Sequence, residues 1–222
     1  MEKLTKTAKG RITADWLECL PSLGVYRPMH LLRRCGPLLV GVCLERDAPG
    51  TGYRPTFHTH VLGKRFPVVS LTLAQPLLTE RTKAPQSLQV AHHQGHFREA
   101  ASRLRHQALL PFEGPITLGV ALNAYRSYAR RPTTNYPVDL FEDMILLAAW
   151  CGQLDQVSIL IETACKEISS WPPQIVSSFG GLDSWADRVS VSSVSEALSE
   201  QVKDEISGLR IDGVPAAPLG TG

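Results

Sequence analysis

The chain has little that would cross-link it or hold it in a membrane. Its five cysteines are an odd number, and no two form a Cys-X-X-Cys pair. Neither a disulfide framework nor a cysteine-type zinc site is indicated. A reduced compartment is the simple reading, with Cys19, Cys35, Cys43, Cys151 and Cys165 serving as small apolar side chains. The longest strongly apolar run, Pro37 to Leu44, falls far short of the roughly 20 residues that span a bilayer. The lysines of residues 1–10 are not followed by an apolar run, so no secretory signal is read there. The expectation is a cytoplasmic protein with no membrane partner.

Complete catalytic motifs are missing too. There is no His-Glu-X-X-His, no Gly-X-Ser-X-Gly and no phosphate loop of the Gly-X-X-X-X-Gly-Lys type. Gly50-Thr51-Gly52 lacks the lysine and the following helix, and reads as a hairpin loop. The balance leans away from an enzyme.

What is present supports a folded core. A hydrophobic fraction of 43% and a charged fraction of 20% over 222 residues fit one domain of generous size. The net charge of +2 conceals a split: residues 1–131 hold 19 Lys+Arg against 8 Asp+Glu, and residues 132–222 hold 4 against 13. A basic half can mark an anionic partner, and opposed halves can also dock on each other.

Periodicity predicts a helix over Ala14 to Leu20 with Thr13 as its cap, and a second short helix over Pro28 to Arg34. Strands are predicted at Pro37 to Arg46, Tyr53 to Leu62 and Val68 to Leu73, joined by short turns as an antiparallel meander. A helix follows over Ala91 to Leu110; Ile116 to Arg130 fits a strand or a helix, and the recurrence of Leu118, Leu122, Tyr125 and Ala129 at three or four residues favours the helix. Leu140, Ile145, Leu146 and Ala149, then Leu154, Val157, Leu160, Ile161, Ala164 and Ile168, make two apolar faces about Cys151-Gly152. Val138 to Ser170 therefore reads as an αα-hairpin. Leu182 to Ile206 reads as one helix or two. Gly213 to Gly222 reads as a disordered tail, dispensable for folding.

The stretch Leu147 to Asp155, with small residues before a glycine turn and an acidic residue opening the next helix, resembles one helix-turn-helix unit of a tetratricopeptide-type solenoid. The likeness covers about one repeat, and no second copy follows at a period of about 34 residues. One unit cannot bury its own face, which implies packing on the rest of the domain or on a partner.

Three groups of residues could carry chemistry. His58 and His60, two apart on a strand, share a face; His92 and His96 are i and i+4 at a helix start, beside His93. No cofactor is predicted, and zinc is the ion such a set would take if a third ligand converged on it. Asp139, Glu142 and Asp143 open a helix, where acids complement the helix dipole or could ligate a metal. The arginines Arg33, Arg34, Arg98, Arg103, Arg105, Arg126, Arg130 and Arg131 could contact an anion or nucleic acid, with Tyr125 and Tyr128 as a partner surface.

The expected fold is α+β: a three-stranded antiparallel sheet packed with helices, followed by a C-terminal helical hairpin. The expected organisation is a basic body over 1–131, an acidic helical part over 132–212 packed on it, and the tail over 213–222. The leading function is a non-enzymatic intracellular interaction or regulatory module with a protein partner. The alternatives are a metal-dependent hydrolase or nuclease using the histidine cluster, and a nucleic-acid-binding protein acting through the basic half.

Overall fold

Between Gly24 and Val61 the chain turns back on itself three times, and these turns set the architecture. The structure, a computed structural model, describes residues 2–132 and 134–221. Strands β1 (Gly24–Arg27), β2 (His30–Cys35), β3 (Leu38–Arg46) and β4 (Gly52–Val61) form a continuous antiparallel meander. Two-residue pieces extend it: β5 (Gln75–Pro76) and β6 (Leu88–Gln89) on β4, and β7 (Ala216–Ala217) running parallel on β2. With eight α-helices among the described residues, the fold is α+β.

The sheet differs from expectation at both ends. Residues 28–34, predicted helical, are a turn and a strand. Met29 takes φ 70° to close the β1–β2 hairpin. Leu31 and Leu32 are both fully buried because both faces of β2 are covered, which hides the alternation that marks a strand. Val68 to Leu73, predicted as a strand, is not one. Thr72 donates to the Thr59 carbonyl, but the Ser70 N–H goes to the His60 ring, so no ladder forms.

Helix α1 (Lys6–Cys19) begins a full two turns earlier than predicted. Thr5 caps it by accepting from the Ala8 N–H at 3.2 Å. Thr13, predicted as the cap, lies inside the helix and accepts from the Met29 N–H at 2.8 Å. The first turns are rich in lysine, and only Ala8 and Ile12 mark their buried face.

Strand register assigns the two faces. Tyr53, Phe57 and Thr59 point one way, towards α1, α2 (His93–Gln107) and α3 (Leu118–Ala129): Tyr53 meets Trp16 and His93, Phe57 meets Phe112, and Thr59 meets Tyr125. His30, Gly41, Cys43, His58 and His60 share the other face.

Helices α4 (Val138–Trp150) and α5 (Leu154–Ile168) form the expected hairpin, turned by Gly152 at φ 69°. α4 is buried almost all round. It lies against α5, α3 and the end of β4, where Gly63 leaves room for the side chains of Leu146 and Leu198. After α6 (Pro173–Ser178), helices α7 (Leu182–Ser192) and α8 (Ser195–Leu209) pack through Trp185, Val189, Leu198 and Val202. One apolar cluster takes in residues on both sides of residue 131.

The final segment departs most from expectation. Residues 213–221 are docked, with Val214 and Leu219 buried and β7 paired to β2. Low apolar content suggested disorder, but main-chain hydrogen bonds fix the segment.

Candidate functional site

The four predicted metal-ligand histidines do not gather. His58 and His60 are buried on one sheet face, whereas His92, just before α2, and His96, in its first turn, are exposed across the sheet. Among the described residues no group of three His, Cys, Asp or Glu side chains is placed to hold a metal. His58 meets His30 instead. Their Nε2 atoms are 2.7 Å apart, so one ring donates to the other. Gly41, which pairs with His58, makes this reach across β3 easy, because it places no side chain between them. Burial, then Arg27, pushes His30 down to about 4, and burial holds His58 well below its ordinary value. His93, lying among these residues in sequence, is a core group. It bonds the Tyr53 hydroxyl at 2.7 Å and Asp15 at 2.9 Å.

The acidic trio is brought together, but around a lysine that sequence reasoning passed over. Lys64, in the turn after β4, places Nζ 3.0 Å from Asp143, 3.1 Å from Glu142 and 3.6 Å from Asp139. Only Asp139 stays in the solvent at the helix start, so the dipole accounts for one of the three. Asp143 is 1% exposed and accepts from the Tyr125 hydroxyl at 3.1 Å; Tyr125 in turn accepts from Thr59. Glu142 accepts from the Trp185 indole at 2.9 Å and lies 3.6 Å from Arg188. The cluster thus ties the β4 turn, α3, α4 and α7 to one another. Burial pushes Asp143 up to about 6 against the pull of Lys64. Burial also works against the Lys64 charge, but Asp143, Glu142 and Asp139 outweigh it and hold the ammonium above its ordinary value.

A cavity of about 170 Å³ adjoins this cluster, lined by His60, Lys64, Phe66, Ser70, Asp139 and Asp143. Ser70 presents both its N–H, at 3.2 Å, and its hydroxyl, at 2.6 Å, to His60 Nδ1. The pair has the outline of a nucleophile and its base. Burial, then Lys64, pushes His60 down to about 4, which makes it a poor proton acceptor at neutral pH. Its lone pair is shared with a main-chain donor, and its Nε2 has no orienting partner. Lys64 is neutralised by carboxylates and offers no free amine.

Six of the eight predicted anion-contact arginines are engaged within the chain. Arg33 is buried and donates to the Pro111 and Gly114 carbonyls. Arg34 donates to Gly36, Arg98 pairs with Glu18, Arg103 reaches Leu78, and Arg105 reaches Cys19 and Glu113. Arg131 stacks on Tyr128 and donates to Gln75. Tyr125, predicted on a partner surface, is wholly buried, and Tyr128 is half-buried with its hydroxyl on the Ala74 carbonyl.

Arg126 and Arg130 differ. Arg126 lies in the last turn of α3 and Arg130, four residues on, caps that helix; among the described residues neither guanidinium has a hydrogen bond or an ion pair. They flank a groove of about 250 Å³ between α3, α4 and α5, floored by Phe141, Met144 and Leu160, with Glu167 opposite. Ile159, 55% exposed, lies one turn of α5 beyond the groove residue Thr163. No single stretch of sequence could have revealed this groove, because its walls come from three helices.

Compared with protein-family models, curated proteins and solved structures, the chain matches none. No helix among the described residues is long and apolar enough to cross a membrane.

Proposed function

We propose that the protein is a non-enzymatic interaction or regulatory module. It docks a short acidic segment of another protein, carrying a bulky apolar anchor, in the groove between α3, α4 and α5. The observation that carries this reading is the contrast among the eight candidate arginines: six are engaged by the fold, and the two that are not, Arg126 and Arg130, stand four residues apart beside an apolar floor. An anchor such as Leu or Phe gains about 1.5–3 kcal/mol on burial. Carboxylates beside it answer two guanidinium groups whose charge the fold leaves largely uncompensated. The chemistry at the His60 cavity favours the same reading, because burial makes His60 a weak base, and Lys64 and Asp143 are already paired with each other.

The test is selection of random displayed peptides on the wild-type protein. Enriched peptides are expected to combine Asp or Glu with Leu, Phe or Ile. Arg126→Glu with Arg130→Glu is expected to weaken them by about 10-fold or more. Peptides that bind the charge-reversed protein equally well would sink the groove reading. Binding of generic RNA or DNA with a steep salt dependence, lost in the same variant, would replace the partner class with a polyanion.

A further inference from the structure

Residues 213–221 carry no charged side chain, and their seat is built mostly from main chain. β1 pairs only with the His30–Leu32 half of β2, so the Arg33–Cys35 half has an open edge. The final segment fills that edge. The Arg34 N–H donates to the Pro215 carbonyl and the Gly36 N–H to the Ala217 carbonyl, both at 2.8 Å. Further on, the Leu118 N–H donates to Gly220 at 2.8 Å, and the Gly220 N–H donates to Ile116 at 2.9 Å. One extended stretch therefore bridges a sheet edge and the start of α3.

Between these two anchor points the side chain of Leu219, 7% exposed, is buried. Gly36, at φ +57°, has no room for a side chain: a Cβ there would meet the Trp150 indole at 2.9 Å and Leu219 at 3.0 Å. At the other end Pro215 closes on Gly24, which also lacks room for a side chain. The slot is shaped for small residues and proline followed by one branched anchor.

We propose that this slot is a peptide-binding site, occupied here by the protein's own final segment. It takes an extended, uncharged, Pro/Ala-rich stretch of another chain with a Leu-type anchor, and residues 213–221 are the resident competitor. The mode is strand addition, in which main-chain bonds supply affinity and side-chain pockets supply selectivity. Pro215 and Pro218 stiffen the stretch and lower the cost of ordering it. Tethering makes the resident segment a strong competitor, because a short linker gives it a high effective concentration. A partner is thus admitted only when the resident segment is released. This inference is independent of the arginine groove.

The experiment places a protease site between Asp212 and Gly213, cuts it after folding, and follows exchange of a labelled synthetic peptide of residues 213–221. Expected results are retained far-ultraviolet circular dichroism, a change in tryptophan emission on peptide release, and saturable peptide binding. Uncut protein should bind the same peptide at least about 100-fold more weakly. A peptide with Leu219→Asp should lose about 10-fold or more. Full-length protein carrying Leu219→Asp should stay folded and accept the wild-type peptide without cutting. The proposal is overturned if cutting unfolds the protein, if the segment never exchanges, or if the Leu219→Asp peptide binds as well as the original.

Discussion

The α4–α5 hairpin and the final segment are held to one body by opposite means. The hairpin docks through side chains: α4 is buried nearly all round, and Lys64 is sealed into its carboxylates. The final segment docks through main-chain hydrogen bonds, with Val214 and Leu219 as its buried apolar side chains. Side-chain docking on this scale is permanent, because separating the pieces would expose a broad apolar face at about 25 cal/mol per Å². Main-chain docking of a short strand is replaceable, because any extended chain presents the same donors and acceptors. The same contrast divides the arginines: Arg33 donates to the scaffold, whereas the guanidinium groups of Arg126 and Arg130 meet no partner among the described residues.

Acid is expected to break this comparison most severely. His30 and His60 have folded values of about 4, against 6.5 when exposed, and His58 is lowered in the same direction. These three bind protons in the unfolded chain and not in the folded one, so stability is lost as pH falls below 6.5. Asp143 works the other way. Its value is raised from 3.8 to about 6, so it binds a proton first in the folded state and adds stability over that window. His93 is lowered like the other histidines and Glu205 is raised like Asp143, so the histidines outnumber the carboxyls and net stability falls as pH drops from about 6.5 towards 4. Urea titrations at a series of pH values measure this slope. Residues 213–221 hold no titratable side chain, so peptide exchange at the slot should be flat over the pH range in which the body stays folded. A pH-independent urea midpoint would mean that the histidines are not buried neutral.

Sequence legibility follows the same division. Strands β3 and β4 and the α4–α5 hairpin were readable because side-chain pattern specifies them. The final segment was not, because hydrogen bonds from Arg34, Gly36 and Leu118 leave no mark on its composition. β2 was misread because burial on both faces erased its alternation. In the polar cluster, Asp139, Glu142 and Asp143 were visible as a group, but Lys64 lies more than seventy positions earlier in an ordinary turn. Nothing local announces that partnership, and the same holds for His30 and His58.

Lys64 offers the next largest effect. Lys64→Met removes the cation from a carboxylate that is 1% exposed and from a second that is 13% exposed. Breaking a buried pair by removing one partner costs about 3–5 kcal/mol. Lys64 keeps some solvent contact, so about 3 kcal/mol is expected at pH 7. The loss should shrink at pH 5, where Asp143 takes up a proton and no longer needs a counter-charge. Lys64→Met combined with Asp143→Leu should recover part of the loss. Denaturation of the three proteins at both pH values checks this; an equal penalty at pH 7 and pH 5 would show that the charge of Asp143 is not what Lys64 answers.

The smallest effect is the one that separates scaffold from docking surface. Arg33→Met should destabilise by about 2 kcal/mol, because it leaves the Pro111 and Gly114 carbonyls without their donor in a buried setting. Arg126→Ala with Arg130→Ala should change stability by less than about 0.5 kcal/mol, as expected for surface groups without partners. It could even help slightly if the two cations repel each other on one helix face. The same double substitution should weaken the selected acidic peptides, so affinity and stability would respond independently at this site. A loss of stability comparable to that of Arg33→Met would place Arg126 and Arg130 in the scaffold after all, and the groove would lose the charges on which its proposed partner depends.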